Sequence, residues 1–227
     1  MVSLLLRQGG AALRMLLAAT VVLGLVYPLA VWGVSRLPGL QSQAEGSLLP
    51  NGRGDEAGAC RIDEPSCSLP RPRPSGSALI GIDPVPTDPA ADPFFHTRPS
   101  ASADDVLGPG DPSTSGGSNQ GGFSEKLLGQ VEQRRAAIAA REGVDPAAVP
   151  ADAVTASASG VDPHISPAYA LLQVDRVARV TGLPVEQVRE LVAGATDGRS
   201  LGFLGEPGVN VTRLNLAVAS ARGTAGG

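Results

Sequence analysis

Aromatic side chains are scarce in this chain: Phe, Trp and Tyr supply 3% of its residues, although 42% are apolar. Any core is therefore built mainly from Leu, Val, Ile and Ala. Lysine is rarer still, with Lys126 standing alone beside seventeen arginines. Positive charge is nowhere clustered in the long carboxyl-terminal part. Residues 37–227 carry 15 basic and 22 acidic side chains, and phosphate neutralisation needs the opposite balance, so a nucleic-acid partner is excluded. There are two histidines, His96 and His164, and neither has Cys, Asp or Glu at the spacing of a zinc site. No G-x-S-x-G elbow is present, and SGGSNQGG at 115–122 lacks the Lys-Ser/Thr ending of a phosphate-binding loop. No catalytic, cofactor-binding or metal-ligating residue is assigned. The two cysteines, Cys60 and Cys67, are too few for a disulfide scaffold. Gly and Pro are plentiful, at 29 and 20, which implies many turns.

The most informative segment is uncharged. Met15–Val34 reads MLLAATVVLGLVYPLAVWGV, and at about 1.5 Å per residue its helix matches a bilayer core of about 30 Å. It is longer than the apolar region of a secretory signal, and no small-x-small cleavage site closely follows it. Pro28 and Gly24 fit a kinked or closely packed membrane helix, and Trp32 an anchor near its far end. Arg7 and Arg14 precede the segment without opposing acids, and only Arg36 follows closely. The positive-inside bias places residues 1–14 in the cytoplasm, residues 15–35 in the membrane and the remainder outside. In that oxidising space Cys60 and Cys67 can close a local disulfide.

Beyond the membrane, residues 36–75 read as a flexible linker, because no apolar period survives in them. A domain follows over 76–220, with a disordered tail over 221–227. SALIGI at 77–82 is a strand candidate, and the prolines after it imply irregular chain. Leu127, Leu128, Val131 and Ile138 recur at helical spacing from Ser124 to Gly143. Ser166 with Pro167 opens a second helix that Gly182 stops, and Pro184 starts a third. VNVTRLNLAV at 209–218 alternates like a strand but changes parity between Val211 and Leu214, as at a bulge. Arg199 and Glu206 are spaced to pair across a turn, and Asp162-Pro163-His164 reads as a rigid turn before a helix. The expected architecture is a single N-terminal transmembrane helix followed by a compact extracytoplasmic α/β (α+β) domain.

Several blocks taken together resemble the C subunit of the potassium-transporting P-type ATPase, the KdpC family. They are GSALIG at 76–81, FFHTRPSA at 94–101, SGGSN at 115–119, VTASASGVDPHISPAYA at 154–170, RVARVTGL at 176–183 and TDGRSLGFLGEPGVNVTRLNLA at 196–217. The chain departs from the family pattern at Phe94, where Tyr is common, at Gln120-Gly121-Gly122, and at Gly208, where Arg is usual. The resemblance implies a non-catalytic accessory subunit of an ATP-driven potassium importer. Its partners would be an A subunit carrying the ion path, a B subunit hydrolysing ATP and a small membrane subunit. The complex would use ATP and transport K+, with neither bound directly by this chain, whose role would be to stabilise assembly and to aid ATP binding by the catalytic subunit. Structural or partner-contact candidates are His96, Arg98, Pro99, Ser115, Gly116, Gly117, Ser118, Asn119, Asp162, His164, Ser166, Gly205, Glu206 and Asn210. The alternative reading is a membrane-tethered extracytoplasmic binding or sensor module; a tethered hydrolase is the remaining class.

Overall fold

In the computed structural model of the chain, residues 2–49, 76–108 and 113–225 are described, and they fall into two units, Met1–Ser47 and Leu48–Gly227. In the first unit, helix α1 (Val2–Val21) passes through a π turn (Val22–Val26) into helix α2 (Tyr27–Ser35). Pro28 has no N–H to donate, and the helix accommodates it by widening one turn, where the Tyr27 N–H reaches Val22 O. Leu6–Ser35 spans 30 residues at a mean hydropathy of 2.1 with none of its apolar window buried, so its length and composition suit a membrane crossing. The helix runs from Val2, so residues 2–14, expected on the cytoplasmic side, are helical. At its far end Arg36 lies over the Trp32 ring at 5.6 Å and pairs with Glu45 at 2.9 Å. Helix α3 (Gln41–Ala44) follows, so the start of the expected linker is ordered.

The second unit opens with strand β1 (Leu48–Leu49), which pairs antiparallel with β2 (Gly76–Ser77), Leu48 opposite Ser77 and Leu49 opposite Gly76. The expected strand over 77–82 is therefore corrected to a two-residue stub. The chain turns after it, with Ile80 N–H on Ser77 O at 3.3 Å, and Pro84, Pro86 and Pro89 deny further ladder donors. Helix α4 (Glu125–Glu142) is capped by Ser124, whose hydroxyl accepts from the Leu127 N–H, and stopped by Gly143 at φ 69°. Helix α5 (Ala151–Val154) and strand β3 (His164–Ile165) lead to α6 (Pro167–Thr181), capped by Ser166 and ended at Gly182, φ 75°. Helix α7 (Val185–Gly194) starts after Pro184, and strand β4 (Thr196–Asp197) follows it.

The second correction concerns the carboxyl-terminal end. Strand β5 covers only Gly208–Asn210, and helix α8 runs Val211–Ala225, where a strand and then a disordered tail were expected. Val211, Leu214 and Val218 are all buried, so the apparent break in alternation is the i, i+3, i+7 stripe of a helix. Asn210 caps it by accepting from the Arg213 N–H at 3.0 Å.

Strands β3, β5 and β4 form an antiparallel sheet with β5 central, His164 opposite Asn210 and Thr196 opposite Val209. With α6 packed on α7 and α8, this is the expected mixture of helices and strands. Valine and alanine dominate the core, and Phe95 and Tyr169 are its only aromatics among the described residues.

Candidate functional site

Between β2 and α4 the chain is irregular yet enters the core. Phe95 is fully buried, and Asp92 and His96 are nearly so. Buried backbone without a strand neighbour must find other partners. Two side-chain amides act as substitutes. Asn215 accepts from the Phe95 N–H and donates to the Phe95 carbonyl, both at 2.8 Å. Gln173 accepts from the His96 N–H at 2.8 Å and donates to its carbonyl at 3.2 Å. Arg176 adds bonds to the carbonyls of Asp92 and Phe94, at 2.8 and 2.9 Å.

The same segment carries a buried charge cluster. His96 Nδ1 lies 2.6 Å from Asp83 Oδ1, and Nε2 lies 2.5 Å from Asp92 Oδ2. Asp92 also faces Arg176 at 3.2 Å, and Arg176 bonds Glu142 at 2.9 Å. Glu142 in turn meets Arg141 at 2.6 Å, whose guanidinium donates to the Tyr169 hydroxyl at 2.8 Å. Three carboxylates thus face two guanidinium groups, and the count balances when His96 is protonated. Burial opposes the imidazolium, but the hydrogen bonds to Asp83 and Asp92 outweigh it and raise the His96 pKa above its ordinary value. Burial likewise opposes the Asp92 carboxylate, and the bond and charge of His96 overcome it, so the Asp92 pKa is lowered. Tyr169 is pushed up by burial. The cluster clamps the 83–96 segment to the end of α4 and to α6, with a cavity of about 300 Å³ beside it lined by Pro84, Val85, Pro86 and Asp105.

A second constellation lies at a groove of about 470 Å³, where Arg98 donates to Asp162 beside Leu79, Ser157, Ser159 and Pro163. Its walls come from blocks far apart in sequence. Ser157 N–H bonds Pro99 O at 2.8 Å, and Gly81 N–H bonds Val161 O at 2.7 Å. A Cβ at Gly81 would sit 2.6 Å from the Asp162 carbonyl oxygen, so only glycine permits this approach. A Cβ at Gly117 would sit 3.6 Å from that of Ala158, which brings the SGGSN turn against the groove. Beyond Asp162, His164 lies 3.7 Å from it and 3.5 Å from Asp197, which Arg213 approaches at 3.3 Å.

The sequence candidates therefore separate. Arg98 and Asp162 meet, with His164 adjoining them, and Ser115, Gly116, Gly117, Ser118 and Asn119 are exposed on the turn beside them. His96 and Pro99 are buried, and His96 belongs to the internal clamp. Ser166 caps α6 and bonds Asp152 at 2.8 Å. Asn210 is buried and donates to Ala78 O at 2.7 Å, while Gly205 and Glu206 are exposed and Glu206 forms the expected pair with Arg199 at 2.7 Å. Cys60 and Cys67 lie outside the described residues. Sequence reasoning missed Asp83, Asp92, Glu142, Gln173, Arg176 and Asn215. One signal was available: Tyr169, Gln173 and Arg176 recur at helical spacing on the buried side of α6.

A membrane-length helix joined to an α+β domain whose separated blocks meet at one groove defines a class of protein that comparison with known chains identifies. The family described as KdpC, K+-transporting ATPase, c chain, matches residues 10–220. The potassium-transporting ATPase KdpC subunit of Kineococcus radiotolerans is 46% identical over 217 residues, covering 96% of this chain and 95% of that protein. Those of Polaromonas naphthalenivorans and Mycobacterium bovis are 44% and 42% identical, covering 91% and 93% of this chain and 91% and 97% of those proteins. The chain belongs to the KdpC family.

Proposed function

We propose that this chain is the non-catalytic accessory subunit of an ATP-driven potassium importer, anchored by its N-terminal helix with residues beyond about 36 outside the cytoplasm. The observation that carries the reading is the family match over residues 10–220, joined to one apolar helix of membrane length. In this reading the chain stabilises the assembly of an ion-path subunit, an ATP-hydrolysing subunit and a small membrane subunit. K+ and ATP are cargo and fuel of the complex. The groove at Arg98 and Asp162, with the SGGSN turn beside it, supplies a partner-facing surface, because loops held on a rigid scaffold present defined contacts. A domain on the outer side reaches a cytoplasmic nucleotide only through the membrane subunits, so any gain in ATP affinity is an indirect coupling.

The test is co-purification of the chain with the other subunits, before and after deletion of residues 1–36. Loss of assembly and of potassium uptake on deletion is the expected result; unchanged assembly and uptake would reject the anchor. With Cys60→Ser and Cys67→Ser in place, labelling of Ser118→Cys, an exposed position, by a membrane-impermeant reagent in intact cells reports the side. Labelling only after lysis would reject the orientation.

A further inference from the structure

Beyond α2 the chain doubles back instead of running straight on. Arg36 N–H bonds Gly33 O at 3.2 Å and Leu37 N–H bonds Val34 O at 3.1 Å, so the last turn of the helix carries into the segment after it. A Pro38-Gly39 turn follows, closed by the Leu40 N–H on Leu37 O at 3.0 Å, with Gly39 at φ 88°. Helix α3 then returns Glu45 to Arg36 at 2.9 Å, and Gln41 donates to the same carboxylate at 3.1 Å. Nine residues of extended chain would reach about 30 Å. Here the two ends of that stretch meet, so residues 36–45 stay at the level where the helix ends. Glu45 is the first acid in the sequence, and the eight residues LPGLQSQA at 37–44 carry no charge. The turn brings Leu37 and Leu40 next to one another, and they are 51% and 41% exposed.

The position of the two leucines says what covers them. Leu37 stands two residues after Ser35, the end of the membrane-length span, so the surface adjoining it is lipid. Trp32 and Arg36, stacked at 5.6 Å, are residue types that settle at the headgroup level. The Arg36–Glu45 pair leaves the loop without net charge, and its Ala44 and Glu45 N–H groups are bonded to Leu40 O and Gln41 O, both at 2.9 Å. Paired polar groups lower the cost of leaving water. The span itself cannot fix its own depth. Leu6–Ser35 is 30 residues long, about 45 Å, against a bilayer core of about 30 Å. Groups at the ends of such a helix decide where it stops.

We propose that residues 36–46 form an interfacial hook, with Leu37 and Leu40 seated among the lipid chains just below the headgroups, and that this hook sets the depth of the membrane helix. This rests on the reading of that helix as an anchor, and the test separates the two. The full chain is reconstituted in phosphatidylcholine vesicles with iodide on both sides. Trp32 is the only tryptophan and reports the helix. An environment-sensitive fluorophore on Leu40→Cys, with Cys60→Ser and Cys67→Ser in place, reports the hook. Lipids carrying a spin label near the headgroup are expected to lower both emissions about twofold or more, while iodide quenches position 40 about fivefold less than the same fluorophore on Ser118→Cys. In the Leu37→Ser/Leu40→Ser chain, the ratio of Trp32 quenching by shallow and by deep spin labels is expected to shift. An unchanged ratio overturns the depth-setting role. Position 40 as open to iodide as position 118 overturns the hook, as does protection from both quenchers, which would mean that protein covers it. A Trp32 that no lipid-borne label quenches overturns the anchor reading, and the hook with it.

Discussion

His96 is the residue whose protonation decides the charge balance of the interior. Its pKa is raised above the unfolded value of 6.5, so the folded state holds the proton more tightly. That stabilisation is complete below about pH 6.5 and is lost as pH rises through the folded value. The melting temperature of the full chain in detergent is expected to fall on the alkaline side, and His96→Gln to flatten that limb. Asp92 acts in the opposite direction: lowered from 3.8, it contributes above that pH and loses its contribution as acid is added below it. Arg176 joins Glu142, the Gln173 amide and two carbonyls through one planar group. Arg176→Met leaves Asp92 and Glu142 without their cation and is expected to cost about 3–5 kcal/mol, read from the unfolding midpoint. Arg176→Lys cannot span the same partners and is expected to restore only part of it. Of these side chains His96 was a sequence candidate, through the FFHTRPSA block, and Gln173 and Arg176 had only the signal of polar residues on the buried face of α6; Asp92 and Glu142 had none. Asp83 and Asp92 lie in a proline-rich stretch where no period exists; both meet His96 of the same segment, and only Arg176 reaches Asp92 from a helix remote in sequence.

At the scale of elements, the legible helices were those with marked ends, both ends for α4 and α6 and the start alone, at Pro184, for α7. Ser124 and Gly143 frame α4, Ser166 and Gly182 frame α6, and the structure uses each as cap or stop. Helix α8 was misread because its start follows a true strand and its cap, Asn210, sits inside the apparent alternation. Asn210→Ala removes that cap together with the buried bond to Ala78 O. The expected loss is about 1–3 kcal/mol, with slower-protected amides along α8 in hydrogen exchange becoming fast. The strand read over 77–82 failed for a different reason: its apolar residues line a turn and a groove, and periodicity alone cannot distinguish these from a ladder. Gly81→Ala tests that fit. Its Cβ would meet the Asp162 backbone, so the groove is expected to open and recovery with the partner subunits to fall, with the anchor helix unaffected.

For the whole molecule, composition and the single oily segment disclosed one apolar helix of membrane length and an aromatic-poor core, and the motif blocks disclosed the family. Their convergence around Arg98 was not readable, because contacts between residues some 60 positions apart arise only from folding. One further property follows from the ladder that sets Leu49 opposite Gly76. Leu49 and Gly76 thus hold the two ends of the intervening stretch side by side, like the two ends of a thread at one eyelet. The 26 residues from 50 to 75 can then be exchanged for a tight turn without reshaping their anchor points. Closing the shorter loop is entropically easier by about 1.5 kcal/mol. A chain so trimmed should melt no lower than its parent, which makes this junction a place where length can drift between relatives while the body beneath it stays the same.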